Sequence, residues 1–205
     1  MKAVIFDLDE TLINSKKVHI AVTDLVLKKL GIKGQIKSIF GQREDDILKA
    51  SFPNLSSKKR KLIQDMKRKL YVKNINKIKI FPYAKSVLEK VKKRFKICIL
   101  TSNSSMETKA ILKKCKFPKF KMVVSLGHVK SNKTKGLRKI LKTLHLKKNE
   151  VLYVGDSDFD ITAAKSVGVP IIVNTSYHTA RLIKKADFVI KDLREVLKIV
   201  SNVCK

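Results

Sequence analysis

The chain has 205 residues, with 47 Lys or Arg against 17 Asp or Glu, so its formal net charge is +30. This length allows one domain with a sizeable core, or one domain with a small insert. No apolar run reaches about 18 residues, which predicts no transmembrane helix. The three widely spaced cysteines fit no metal or redox pattern. We therefore expect a protein of a reduced, cytoplasmic compartment that does not enter a membrane.

The strong positive charge has two interpretations. A polyanion-binding surface would use it to attract nucleic acid, and residues 58–69 are the densest basic stretch. Alternatively, the lysines are a compositional habit that fills solvated helix faces. We favour the second interpretation because lysines greatly outnumber arginines, whereas base readers and phosphate clamps rely on Arg. Aromatic residues also do not interleave with the lysines, as stacking on single strands requires.

The first predicted element is a short apolar strand at residues 3–6. Residues 14 to 79 then show helical spacing without a convincing strand, and we expect linkers near residues 13–16 and 76–82. Further along, β-branched runs alternate with stretches of helical spacing, which is typical of βαβ units and a parallel sheet. These runs are residues 97–100, 122–126, 151–155, 171–174 and 187–190, and a final helix is expected over residues 192–202. The predicted fold class is therefore α/β, with a helical insertion after the first strand.

Acidic residues gather in two clusters, each directly after an apolar run: Asp7, Asp9 and Glu10, then Asp156, Asp158 and Asp160. Like charges placed together repel unless a cation or a substrate compensates them. A third run ends in hydroxyl and amide side chains, Thr101, Ser102 and Asn103. Parallel strands bring such ends to one edge of the sheet. The carboxylates there suit Mg²⁺, and hydroxyl and backbone N–H groups suit a phosphate.

These segments resemble the motifs of the haloacid dehalogenase-like superfamily. FDLDETL (6–12) resembles the first motif, ILTSN (99–103) the second, and VGDSDFDITAAKSVGV (154–169) the fourth. Lys133, 23 residues before Asp156, is the best match to the lysine of the third motif, and Lys130 and Lys135 are the alternatives. Four motifs in the same order, over nearly the whole chain, make this resemblance specific.

The insertion resembles the helical cap of the phosphoglycolate phosphatase and β-phosphoglucomutase-like branch. LINSKKVH (12–19), FGQREDDIL (40–48) and FPYAKSVLEKVKK (81–93) carry this resemblance, with Asn14 in place of the usual Asp and Ala84 in place of a common Gly. It implies a Rossmann-like core over residues 1–13 and 80–205. The helical cap would comprise residues 14–79.

The resemblance also implies roles for the reacting groups. Asp7 would be the nucleophile and a metal ligand, and Asp9 the general acid and base, with its backbone carbonyl on the metal. The Thr101 hydroxyl would bind the phosphoryl oxygens, helped by backbone N–H groups around Ser102 and Asn103. Lys133 would offset negative charge.

Further roles concern the metal and the substrate. Asp156 would hold Mg²⁺, and Asp160 would orient a metal-bound water or Lys133. His19 and Arg43 are candidates for substrate binding from the cap. Glu10 stands where Gly is common in relatives, and we expect it to be an exposed turn residue without a chemical role.

The sequence thus predicts a Mg²⁺-dependent phosphatase that hydrolyses small phosphorylated metabolites through an aspartyl-phosphate. One alternative is a sugar phosphomutase of the β-phosphoglucomutase type, which His19 and Arg43 keep open. An alternative of another class is a nucleic-acid-binding protein, or a phosphatase of nucleic-acid ends, that uses the lysines. The oligomeric state stays open.

Overall fold

The computed structural model describes residues 1–36, 44–127, 132–174 and 184–203. Its strands are β1 (Ala3–Phe6), β2 (Ile13–Asn14), β3 (Lys79–Ile80), β4 (Lys96–Thr101), β5 (Met122–Ser125), β6 (Val151–Gly155), β7 (Ile171–Asn174) and β8 (Phe188–Ile190). Its α-helices are α1 (Lys16–Lys29), α2 (Glu44–Ser51), α3 (Ser57–Lys73), α4 (Ala84–Lys92), α5 (Ser105–Cys115), α6 (Lys133–Thr143), α7 (Asp158–Val167) and α8 (Glu195–Asn202). Short 3₁₀ turns cover Ile75–Lys77 and Lys148–Glu150.

Six parallel strands form the central sheet in the order β5–β4–β1–β6–β7–β8. The first strand therefore lies in the middle, between β4 and β6. Ala3 pairs with Lys96 on one side and with Val151 on the other. This arrangement confirms the predicted α/β, Rossmann-like parallel sheet.

Both faces of the sheet are covered by helices, which explains why its strands are apolar throughout rather than alternating. Val4 and Phe6 point into a cluster that includes side chains of α4, α5 and α8. Ala3 and Ile5 point into the opposite cluster, formed with α6 and α7. The runs that form β1, β6 and β7 are thus strands buried on both sides, whereas the edge strands β5 and β8 are only partly buried.

The segment between β1 and β4 contains the helices α1, α2 and α3. Part of it has its own apolar cluster, in which Val26 and Leu27 of α1 meet Leu48 and Ile63. The two predicted linkers pair as the antiparallel strands β2 and β3, with Ile13 opposite Ile80. The division into a core and a cap at residues 14 and 79 stays a prediction.

The last helix begins three residues later than predicted. The Glu195 carboxylate accepts hydrogen bonds from the backbone N–H groups of Lys191 at 2.9 Å and Asp192 at 2.8 Å. These bonds hold residues 191 and 192 in a turn before the helix starts. Across the described ranges, every helix is too short or too polar to cross a bilayer.

Candidate active site

The predicted functional residues meet at the carboxyl edge of the sheet because β1 lies between β4 and β6. Asp7 follows β1, Thr101 ends β4 and Asp156 follows β6. A cavity of about 350 Å³ opens at this edge. Its lining includes residues that follow the strands of the sheet and residues of α1, α2, α3 and α6: Asp7, Asp9, Ser102, Asn103, Asp156, His19, Glu44, Lys67 and Lys133.

Lys133 lies between two carboxylates in the buried floor of this cavity. Its Nζ is 3.0 Å from Asp7 Oδ2 and 2.6 Å from Asp160 Oδ1. Burial alone would lower the pKa of Lys133, but Asp160, Asp7 and Asp156 outweigh it and raise the pKa above its ordinary value. The ammonium group therefore stays charged and adjacent to Asp7.

Asp7 is almost completely buried, and this burial raises its pKa well above the ordinary value. Lys133 acts in the opposite direction, whereas Asp160 and Asp156 raise the pKa further. Carboxylates crowded in this way need additional positive charge to ionise together. The site is electrostatically suited to a cation.

Asp160 is fully buried, and its oxygens are occupied by protein donors. Oδ1 accepts hydrogen bonds from Lys133 and from the Tyr153 hydroxyl, and Oδ2 accepts from the backbone N–H and the hydroxyl of Ser157. Burial opposes ionisation of Asp160, but Lys133 and these hydrogen bonds outweigh it and lower its pKa. This pattern favours Asp160 as the residue that positions Lys133.

The donor set at the sheet edge fits a hard divalent cation. Oxygens of Asp7, Asp156 and Asp160 lie within 4.8 Å of one another. All three side chains are buried, and oxygen-only donors are what Mg²⁺ prefers. The Thr11 hydroxyl donates to Asp156 Oδ1 at 3.2 Å and fixes that carboxylate. Since the protein already occupies the Asp160 oxygens, Asp7 and Asp156 are the better candidates for metal ligands.

Asp9 is held by three side chains, two from the start of α1 and one from the segment after β4. Its Oδ2 accepts from Asn103 Nδ2 at 2.5 Å, and its Oδ1 accepts from the Ser15 hydroxyl at 2.6 Å. His19 Nε2 lies 3.4 Å from the same Oδ1. Burial would raise the pKa of Asp9, but the contacts with His19, Ser15 and Asn103 lower it.

The predicted phosphate-binding segment begins after β4. Thr101 is fully buried, and its hydroxyl oxygen accepts from the backbone N–H of Asn103 at 3.2 Å. The residues of this segment that line the cavity are Ser102, Asn103 and Ser104. The segment then enters α5, where Ser104 and Glu107 form a capping box. The side-chain amide of Asn103 donates to Asp9, and its backbone N–H, one of the groups predicted to bind the phosphoryl oxygens, donates to Thr101.

Of the residues predicted to bind substrate or to supply the catalytic lysine, some border the cavity and others do not. The ring of His19 stacks on Tyr71 with a centroid distance of 4.2 Å and borders the cavity. Arg43 lies outside the described residues, as does Lys130, one alternative for the catalytic lysine. Lys135, the other alternative, is exposed.

The expectation for Glu10 was wrong. Its side chain is buried, at 4% exposure, and its backbone takes a left-handed φ of 55°. This turn directs the carboxylate inward, where Oε1 accepts from the backbone N–H groups of Ser15 at 2.9 Å and Lys16 at 2.8 Å. Glu10 therefore fixes the start of α1 relative to the acidic motif.

Sequence reasoning assigned no role to several polar residues that support the site. Thr11 and Ser157 lie within the recognised motifs and bond to Asp156 and Asp160. Tyr153 lies on an apolar strand, two residues before the end of β6, so only its hydroxyl could have indicated a buried polar partner.

An acidic cluster with one buried lysine, at the carboxyl edge of a parallel sheet, is an arrangement of α/β enzymes. A sequence model of the haloacid dehalogenase-like hydrolases matches residues 4–174. The chain therefore belongs to the haloacid dehalogenase-like hydrolase family. This confirms the predicted family and the predicted enzyme class.

Individual relatives agree with this placement. The chain is 30% identical over 212 residues to the "Putative pyrophosphatase PpaX" of Caldanaerobacter subterraneus, covering 98% of this chain and 94% of that protein. It is 25% identical over 215 residues to the phosphoglycolate phosphatase of Aquifex aeolicus, covering 98% of each. The structure of a haloacid dehalogenase-like hydrolase from Streptococcus pneumoniae has a TM-score of 0.84 at 21% identity, covering 98% of each chain, and shows the shared fold.

Proposed function

We propose that this protein is a Mg²⁺-dependent phosphatase that hydrolyses small phosphomonoesters through an aspartyl-phosphate intermediate. One observation carries the proposal: Asp7 and Asp9 border the same cavity but contact different kinds of polar side chain. Asp7 contacts the Lys133 ammonium, whereas Asp9 contacts the Asn103 amide and the His19 ring. Different environments allow two carboxylates to take different chemical tasks. A bound cation would lower the raised pKa of Asp7 and so favour the ionised form that a nucleophile needs.

In the first step, a carboxylate oxygen of Asp7 attacks phosphorus, and the bond between phosphorus and the ester oxygen breaks. Asp9 gives its proton to the leaving oxygen. The negative charge of a bound phosphate raises the pKa of Asp9, which supports the protonated form that this step needs. Lys133 stabilises the negative charge that Asp7 and the phosphoryl oxygens share.

In the second step, Asp9 accepts a proton from water, and the water oxygen attacks phosphorus. The bond between phosphorus and Asp7 breaks, which regenerates the carboxylate and releases inorganic phosphate. The hydrogen bonds from Asn103 and Ser15 keep the Asp9 carboxylate in one orientation for both proton transfers. General acid–base catalysis of this kind contributes roughly 10²–10⁴-fold to the rate.

Asp7, Asp156 and the backbone carbonyl of Asp9 would hold the Mg²⁺ ion. When bound, the ion neutralises phosphoryl charge, so that a dianion can approach a carboxylate nucleophile. The crowding of these carboxylates supports this assignment because Asp156 raises the pKa of the buried Asp7, and a bound cation would relieve the repulsion between them.

The small cavity and the relatives support a small organic phosphate as substrate. A volume of about 350 Å³ is near the lower end for ligand pockets. Two relatives are named for activities on phosphoglycolate and pyrophosphate.

The test is phosphate release from a panel of phosphorylated metabolites and end-phosphorylated oligonucleotides, with and without Mg²⁺. We expect Mg²⁺-dependent release from small esters, and no release by the Asp7→Asn variant. Wild-type activity in that variant would contradict the proposal. Strict dependence on a sugar bisphosphate, with little phosphate release, would indicate the phosphomutase alternative.

A further inference from the structure

The cavity wall formed by α2 and α3 includes a charged pair that has no role in the proposed chemistry. Glu44 of α2 and Lys67 of α3 line the same cavity as Asp7. The lysines among its described lining residues are Lys67 and Lys133, and Lys133 is already paired with buried carboxylates. Within the described ranges, Lys67 is therefore the lysine ammonium that this wall offers to a substrate.

The contact between Lys67 and Glu44 is close but poorly aligned. Lys67 Nζ lies 2.7 Å from Glu44 Oε1, and the two side chains are 12% and 21% exposed. Glu44 Oε1 nevertheless accepts no hydrogen bond from any described residue, so the pair is an ionic contact with unfavourable angles. A lysine ammonium has three N–H donors. None of the N–H groups of Lys67 donates a hydrogen bond to Glu44 Oε1.

We propose that Lys67 binds a second anionic group of the substrate, either a carboxylate or a second phosphoryl group. This inference rests on the proposed phosphatase function. It adds that the leaving group of the substrate carries a second negative charge. A mostly buried ammonium needs a negative partner. Glu44 supplies this partner in the free enzyme, and the second anionic group of the substrate replaces it on binding.

The same geometry could serve only to hold α2 against α3. The structural role and the substrate-binding role predict different changes in activity when Lys67 or Glu44 is replaced. If the pair is only structural, loss of either partner weakens the same contact, so Lys67 and Glu44 variants change activity in the same direction. If Lys67 binds the substrate and Glu44 competes for it, loss of Lys67 lowers activity on substrates with a second anion, whereas loss of the Glu44 charge does not lower it.

The experiment measures kcat/KM for 2-phosphoglycolate and for pyrophosphate, each divided by kcat/KM for p-nitrophenyl phosphate, whose leaving group has no second anionic group. Lys67→Met should lower at least one of these ratios by about tenfold or more, the effect of losing one charge-assisted hydrogen bond. Glu44→Gln should leave that ratio unchanged or raise it. Lys67→Arg, which keeps the charge, should recover most of the ratio.

Lys69→Met is the matched control because Lys69 is exposed on the same helix. It should keep wild-type ratios, and circular dichroism should show that all variants are folded. A fall confined to 2-phosphoglycolate identifies a carboxylate subsite, and a fall confined to pyrophosphate identifies a phosphoryl subsite. Ratios within twofold of wild type in Lys67→Met, or equal losses in Lys67→Met and Glu44→Gln, would overturn the inference. If the wild-type enzyme releases no phosphate from these three substrates or from any small ester of the metabolite panel, the proposed function itself fails.

Discussion

Nζ of Lys133 lies 3.0 Å from Oδ2 of Asp7, although the two residues are 126 positions apart and belong to different segments. Asp160, on the other side of the ammonium group, fixes its position at 2.6 Å. This arrangement gives Asp7 a permanent cationic neighbour inside a buried site.

Replacing Lys133 by Met should lower kcat by about 10²–10³-fold, because the charge on Asp7 and on the phosphoryl group loses a preorganised cation. Steady-state kinetics with excess Mg²⁺ measure this effect. Lys135→Met is the control, since Lys135 is exposed on the same helix and should keep its activity. A Lys133→Met enzyme within a few-fold of the wild-type kcat would show that this lysine is not required.

Replacing Thr11 by Val should weaken Mg²⁺ binding by roughly 10–100-fold, as is usual when a residue that orients a metal ligand is lost. The Thr11 hydroxyl donates to Asp156, and valine keeps the shape but removes the donor. The measurement is the Mg²⁺ concentration that gives half-maximal activity after chelation and re-addition. Thr143→Val, at an exposed position, serves as the control. An unchanged Mg²⁺ requirement in Thr11→Val would contradict the role of Thr11 in orienting Asp156 for the metal.

Two buried tyrosines should respond differently to loss of the hydroxyl group. Tyr153 donates to the ionised Asp160, so Tyr153→Phe should lower the free energy of unfolding by about 1.5–3 kcal/mol. The Tyr71 hydroxyl is buried without a well-aligned hydrogen-bond partner among the described residues, although the nearby Ser15 side chain acts to lower its pKa. Tyr71→Phe should therefore cost less stability than Tyr153→Phe. Urea unfolding at neutral pH compares the two variants. The reverse order of stabilities would show that the polar contacts of one hydroxyl are assigned wrongly.

The core thiols should be unreactive in the native protein. Burial raises the pKa of Cys98 to about 11 and also raises the pKa of Cys115. Since the thiolate is the reactive form, only roughly one Cys98 thiol in a thousand is ionised at pH 8. In a Cys204→Ser background, a disulfide reagent should modify both thiols slowly in the native state and rapidly in urea. Equal rates in both states at pH 8 would contradict the buried placement.

The meeting of Asp7, Thr101 and Asp156 could be predicted from the sequence because it depends on strand order alone. Each follows or ends an apolar run, and parallel strands bring these ends to one edge. The choice of Lys133 among many lysines came from the resemblance to family motifs. The structure places this lysine beside Asp7 and leaves Lys135 exposed.

Other contacts could not be predicted because they depend on side-chain directions. The bond between Asn103 and Asp9 joins residues that are 94 positions apart, and a different rotamer would send the amide to solvent. Glu10 looked like an exposed turn residue, but its left-handed backbone turns the carboxylate toward the first turn of α1. The ion pair of Lys67 and Glu44 requires the packing of α2 on α3, which helical spacing alone does not determine.

In the proposed mechanism, Asp7 becomes covalently phosphorylated during each turnover. The most direct test mixes enzyme, Mg²⁺ and a substrate identified by the panel, quenches the reaction with acid during turnover, and maps the peptides by mass spectrometry. We predict one added phosphoryl group on Asp7, which disappears when the intermediate is allowed to hydrolyse. Turnover without any phosphorylated Asp7, or with the phosphoryl group on another residue, would contradict the account.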